Sequence, residues 1–270
     1  MTNIFSIFSY SFMTNAFAAG ILISVCAALL GVVLVLKRYS MIGDGLSHVG
    51  FGAMSIAAVT GLSPIAVSIP IVGITAMMLI RIKSSSKIKG DAAIGLISTG
   101  ALAFGIIIVS LGGVNTDLNS YLFGSILSLS TNDTILCVSL CLATLILFVI
   151  MYNKIFSVTF DEEFAKACGT KTAIYNTVIA LLTAVTVVMG MRMMGTLLIS
   201  ALIIFPALTS MRIFKTFKAV SIFSVAVAVF CFFTGMLISF AFSTPAGATV
   251  AAVNIILFII CFAFSYIKSR

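Results

Sequence analysis

The residues best placed to do chemistry lie in the stretch 37–48, KRYSMIGDGLSH. Asp44 is the only acid within an apolar run, and His48 is the only histidine of the chain. A spacing of four puts both on one face of a helix, close enough to share a ligand. Carboxylate oxygen beside imidazole nitrogen suits Zn²⁺ or Mn²⁺. An ionisable group in an apolar run is costly unless paired, which makes the pair a functional candidate. The same spacing fits an Asp–His hydrogen bond that only stabilises a kink, and spacing alone leaves both readings open. Two ligands do not close a metal shell, so others must come from elsewhere in the chain or from water. Gly43, Gly45, Ser47, Gly50 and Gly52 surround the pair. Small residues of this kind allow close helix contact, whether to open a pathway or simply to pack.

Other reactive types are spaced less tellingly. Cys137 and Cys141 are also four apart, but buried cysteines in apolar runs are ordinary filler. Met189, Met191, Met193 and Met194 cluster, and packing explains them better than copper binding. Ser47 adjoins His48, yet neighbours on a helix point about 100° apart, and no second histidine completes a nucleophile–base pair. No G-x-x-x-x-G-K-[ST] occurs, so the chain has no P-loop for ATP. Nothing catalytic is legible; the chain reads as a non-enzyme with no permanently bound cofactor.

The elements that must carry Asp44 and His48 follow from composition. Of 270 residues 61% are apolar and only 8% charged, against about 25% charged in soluble domains. A soluble globular enzyme is excluded. Crossing a bilayer takes about 20 consecutive apolar residues. Nine apolar segments appear at about 16–36, 45–62, 64–80, 92–111, 134–152, 173–191, 193–211, 219–243 and 246–267. The expected fold is an all-α polytopic membrane protein of eight to nine spans, a single transmembrane domain over 1–270 with no linker. The second and third segments are short and interrupted by glycine and proline, which predicts a broken helix or a hairpin that does not fully cross. Fifteen Lys and Arg stand against seven Asp and Glu. Taking segment ends alternately, one side collects every basic residue except Arg192. Basic residues stay cytoplasmic, so the N-terminus is expected outside and the C-terminus inside. The positive excess therefore reports topology rather than nucleic-acid binding. The first 36 residues are uncharged, which reads as mature protein and not a cleaved signal. The six cysteines include no CxxC and predict no disulfide framework.

Two loops exceed a turn. On the outer side, 112–133 contains an amphipathic stretch, 120–129, suited to a short rim helix. On the inner side, 153–172 contains TFDEEFAKACG at 159–169. Thr159 through Glu162 reads as a helix start, Lys166 lies toward the end, and Gly169 is the stop. Phe160 and Phe164, four apart, would share a face, with Asp161, Glu162 and Glu163 in the first turn. A solvated loop is the plain reading of such a segment; its compact layout of cap, acids, base and glycine instead points to a docking element for a cytoplasmic partner.

Five stretches together resemble the permease subunits of bacterial ABC importers for zinc, manganese and iron, the ABC-3 family. They are LVLKRYSMIGDGLSHVGFGAMS (34–55), SYLFGSIL (120–127), TFDEEFAKACG (159–169), MGTLLISALIIFPALTS (194–210) and STPAGATVAAV (243–253). The resemblance implies a homodimeric permease in the bacterial plasma membrane. It implies two ATP-binding cassette subunits and an extracellular or periplasmic metal-binding protein as partners. It also implies that Asp44 and His48 line the path as ligands of the transported metal, zinc first and manganese next. An Asp of many relatives is Ser125 here. Permeases for an iron chelate or a cobalamin-like cargo, and a stand-alone cation channel or carrier, are the competing readings.

Overall fold

The computed structural model describes residues 11–82, 90–113, 124 and 131–268. Among these there are helices and no strands. In chain order they are α1 (Ser11–Leu36), α2 (Ile42–Thr60), α3 (Pro64–Ile82), α4 (Gly90–Leu111), α5 (Thr131–Ile150), α6 (Tyr152–Phe160), α7 (Glu162–Ala167), α8 (Thr172–Met194), α9 (Thr196–Ile213), α10 (Phe217–Phe242) and α11 (Ala246–Lys268). Every long helix except α2 is long and apolar enough to cross a membrane. Large apolar side chains such as Leu96, Phe104, Ile150, Ile256 and Phe264 are exposed on the outer faces of α4, α5 and α11. That surface belongs in lipid or against another apolar surface, not in water. Many hydroxyls inside the bundle turn back on their own helices, as Ser24 does to Gly20 O (2.7 Å) and Thr183 to Ile179 O (2.7 Å). Such bonds satisfy polar groups that lipid cannot.

Of the two alternatives for the second and third segments, the structure has the hairpin, whose first helix α2 is not among those long and apolar enough to cross a membrane. Neither is broken: α2 and α3 are continuous helices of 19 residues each, with Pro70 inside α3. They meet at Gly61, whose φ of +70° ends α2 in the left-handed region. The glycines of α2 mark close contacts rather than breaks. A Cβ on Gly45 would meet Ile94, and one on Gly52 would meet the Ala101 carbonyl, so α2 runs beside α4 in the same direction. Gly43 lies against Ile203, near the middle of α9, so α2 starts at mid-depth in the bundle. On its other sides α2 packs on α3 and α8.

What precedes α2 is a rigid turn. Arg38 has φ +62°, Arg38 N–H donates to Val35 O (3.0 Å) and Tyr39 N–H to Leu34 O (2.8 Å). This is the paired pattern that closes a helix around a left-handed residue. A non-glycine there costs about 1–2 kcal/mol, held in place by those bonds. The Tyr39 hydroxyl donates to Ile80 O at 3.2 Å and pins the turn to α3.

Candidate metal site and cytoplasmic face

Asp44 lies in the first turn of α2, where the helix dipole favours a carboxylate. Its Oδ1 accepts from the Ser200 hydroxyl of α9 at 3.1 Å, a hydroxyl that also lies 3.1 Å from Thr196 O. Its Oδ2 faces His48 Nε2 across 3.7 Å. At that distance the direct Asp–His hydrogen bond is not made. His48 Nδ1 is buried and has no hydrogen-bond partner. So Asp44 and His48 do face each other, 3.7 Å apart. Among the described residues, no third His, Cys, Asp or Glu joins them. Ser47 instead caps its own turn, donating to Asp44 O at 2.7 Å, and has no nucleophile geometry.

The remaining candidates pack. Cys137 and Cys141 are fully buried, and Cys26 donates to Cys141 O at 3.3 Å. Met189, Met191, Met193 and Met194 are all buried, with Met191 against Gly50 and Met194 against Gly20. Arg192 pairs with Asp133 of α5 at 3.1 Å. The rim stretch 120–129, with Tyr121 and Ser125, lies outside the described residues apart from Gly124. That glycine has φ +76° and sits where a Cβ would meet the Met194–Gly195 backbone between α8 and α9.

The inner segment needs correcting. Thr159 does not start a helix; it ends one. It belongs to α6, and its hydroxyl donates to Ile155 O at 2.6 Å. The cap is Asp161, which breaks the chain at φ −145° and accepts from Phe164 N–H at 2.9 Å. Glu162 and Glu163 fill the first turn of α7. Gly169 is the stop, at φ +79°, with Gly169 N–H on Lys166 O and Thr170 N–H on Ala165 O, both 3.0 Å. Because Asp161 interrupts the helix, Phe160 and Phe164 sit on different helices and are not on one face. Both are nonetheless well exposed, at 61% and 64%, and Phe160 is backed by Phe156 at 5.1 Å between centroids.

One network escaped sequence reasoning. Lys37, only 9% exposed, donates to Asn176 Oδ1 at 2.6 Å and lies 3.7 Å from Glu162. Asn176 Nδ2 donates to Glu162 Oε1 at 2.8 Å. The three come from the end of α1, from α7 and from α8. They border a cavity of about 530 Å³ that Tyr39, Arg81 and Phe160 also line. Burial, helped by the Glu162 charge, pushes the Tyr39 hydroxyl up to about 12. Ser200 also went unmarked, one of the hydroxyl residues of the apolar run 194–210 with Thr196, Thr209 and Ser210.

Comparison with known proteins adds the following. The profile of the ABC 3 transport family matches residues 9–265. "Manganese import system permease protein ScaB" of Streptococcus gordonii is 28% identical, over 94% of this chain and 91% of its own. A Haemophilus influenzae protein named "Probable iron transport system membrane protein" is 30% identical, over 96% and 92%. Among solved structures, a chain of "PsaBC from Streptococcus pneumoniae in complex with Fab" superposes with a TM-score of 0.86 at 29% identity, covering 96% of this chain and 94% of that one.

Proposed function

This chain belongs to the ABC 3 transport family, and we propose on that premise that it is the membrane-spanning permease subunit of an ATP-driven importer whose cargo is a divalent transition metal. The observation that carries the proposal is the gap between Asp44 Oδ2 and His48 Nε2, 3.7 Å wide at mid-depth of the bundle. Metal–ligand bonds of about 2.1 Å let one ion bind both atoms across it. Water completes the shell, as suits an ion that must leave again. A compact oxygen–nitrogen pair favours a bare ion over a chelate or a cobalamin-like cargo.

Zinc and manganese both suit such a pair. The resemblance in the sequence put zinc first, but the relatives' names support manganese, as ScaB is named for it. We therefore place manganese ahead of zinc. Energy comes from a separate ATP-binding subunit, since no P-loop occurs in the sequence. The docking surface is the α6–α7 corner: Phe160 and Phe164 anchor in the partner, with Asp161, Glu162 and Glu163 around them and Gly169 closing the element. A second copy of the chain, two ATP-binding subunits and an external metal-binding protein complete the assembly. Helix ends on one side carry Lys37, Arg81, Lys154, Lys171, Arg212 and Lys218, whereas Arg192 is at the other. This supports a cytoplasmic C-terminus and an outside N-terminus.

The test is reconstitution with the ATP-binding subunit in vesicles. Radiolabelled manganese should accumulate only with ATP, and zinc should compete. Accumulation without ATP, or of chelated iron alone, would overturn the reading. Reporter fusions after Lys171 and Lys218 should read cytoplasmic and one near Asn115 external.

A further inference from the structure

Helix α7 has little to hold it. Of its six residues only Ala165 is buried, and it packs on α6 and α8. Between its first turn and the end of α1 lies the cavity of about 530 Å³, so apolar packing does not connect the two there. A polar bridge does. The Glu162 carboxylate takes Asn176 Nδ2 on one oxygen (2.8 Å) and faces the Lys37 ammonium with the other (3.7 Å). Asn176 closes the triangle by accepting from Lys37 at 2.6 Å.

From Lys37 onward the chain is stiff. Lys37 N–H donates to Val33 O, Arg38 to Val35 O, Tyr39 to Leu34 O and Ile42 to Tyr39 O, all within 3.0 Å. The Tyr39 hydroxyl fixes the same turn to α3. Seven residues beyond Lys37 stands Asp44. A displacement of α7 therefore reaches the start of α2 through one charged contact and one hydrogen-bonded turn.

We propose that Lys37 and Glu162, bridged by Asn176, transmit movement of α7 to α2 and so couple ATP hydrolysis to the Asp44–His48 pair. The proposal rests on the reading of the α6–α7 corner as the ATPase contact. Lys37 and Glu162 are positioning residues: neither touches metal or nucleotide. A buried lysine whose partners lie on two other helices is suited to this task, because any shift of α7 must either drag the ammonium or take away its Glu162 countercharge.

The experiment uses the assembled transporter in vesicles. Co-purification reads docking, and metal accumulated per ATP hydrolysed reads the link. Lys37→Met should retain the ATPase and its hydrolysis, while metal moved per ATP falls about tenfold, within the range of coupling between sites. Glu162→Gln, on the rim of the docking corner, should show the same fall in metal moved per ATP in the complex that assembles. The exchanged pair, Lys37→Glu with Glu162→Lys, should recover most of the ratio, as interacting partners do in a double-mutant cycle. A purely structural role gives lower yield or melting temperature with an unchanged ratio in the protein that survives, and that result overturns the proposal. So does an exchanged pair no better than the single variants. Release of the ATPase by Lys37→Met also counts against the link, since it puts Lys37 in docking itself. The docking reading is judged separately. If Phe160→Ala/Phe164→Ala keeps its ATPase and imports normally, docking at this corner is wrong. If that variant releases the ATPase while Lys37→Met and Glu162→Gln couple normally, docking stands and the link falls.

Discussion

At the start of the stretch 37–48, the Lys37 ammonium is almost fully buried and has Asn176 at 2.6 Å and Glu162 at 3.7 Å. At its end, neither ring nitrogen of His48 has a hydrogen-bond partner among the described residues, although Nδ1 is buried and Nε2 faces a carboxylate 3.7 Å away. Buried polar groups are nearly always paired, and an exception calls for a reason. Around Lys37 the chain itself supplies a hydrogen bond and a countercharge, which suits the proposed mechanical link. Around His48 the described residues supply no hydrogen bond, which is the arrangement the proposed metal site calls for. Two polar clusters less than a dozen residues apart thus differ in what they are built to hold.

The largest effect should come from the open end. Asp44→Ala and His48→Ala each remove one of the two proposed protein ligands, and metal accumulation should fall to background. Stability should barely change, because His48 gives up no hydrogen bond and Asp44 gives up one, to Ser200. Uptake assays beside thermal melts check this. If either variant melted far lower while uptake persisted, His48 and Asp44 would be structural and the contrast with Lys37 would collapse.

Next in size is the cytoplasmic corner. Phe160→Ala/Phe164→Ala should release the ATP-binding subunit in pull-down, with metal binding at Asp44 and His48 intact. Interface aromatics contribute about 2 kcal/mol or more each when truncated. Both side chains are well exposed, so the isolated permease should keep its melting temperature.

A packing change should act between the two regions. A Cβ on Gly31 would meet the Ile203 carbonyl, a backbone atom that cannot rotate aside, and Gly43 leans on the same residue from the other helix. Gly31→Val should push α1 from α9 and cost about 1–3 kcal/mol, as overpacking does. Lower melting temperature with weakened metal uptake is the expected pair of readings; weakened uptake follows because Ser200 moves away from Asp44 along with α9.

The helix count and the Asp44–His48 pair were legible because both depend on local pattern. Runs of about 20 apolar residues and a spacing of four need no knowledge of neighbours. Of the two alternatives for α2 and α3, the broken helix fails because glycine and proline need not be breaks. Gly45 and Gly52 instead admit Ile94 and the Ala101 carbonyl, a tertiary contact invisible in sequence. The cap was placed at Thr159 because Thr and the acids that follow look like a start. Thr159 is satisfied within its own helix by Ile155 O, which leaves Asp161 free to cap the next. Asn176 and Ser200 were missed for a simpler reason. Each is one of several polar residues in its helix, and its importance lies in a partner 139 or 156 positions away.

Ser200 offers the smallest and most discriminating change. Its hydroxyl is shared between Asp44 Oδ1 and Thr196 O, both at 3.1 Å, so the bond to the carboxylate is partial. The Asp44 side chain is also 44% exposed, and water can replace the lost donor. Partners that orient a metal ligand usually account for about 10–100-fold in affinity, and these two features place Ser200 at the low end. Ser200→Ala should therefore raise the metal concentration for half-maximal uptake about tenfold and leave the maximal rate nearly unchanged. Ser200→Thr, which keeps a hydroxyl, should stay close to wild type. The Lys37 end should be indifferent: metal moved per ATP at saturating metal ought to match the unaltered protein, because the α7 contact is untouched. An equal loss of maximal rate in Ser200→Ala would show that α9 moves with the metal site during transport, and that the open and closed clusters are not separable.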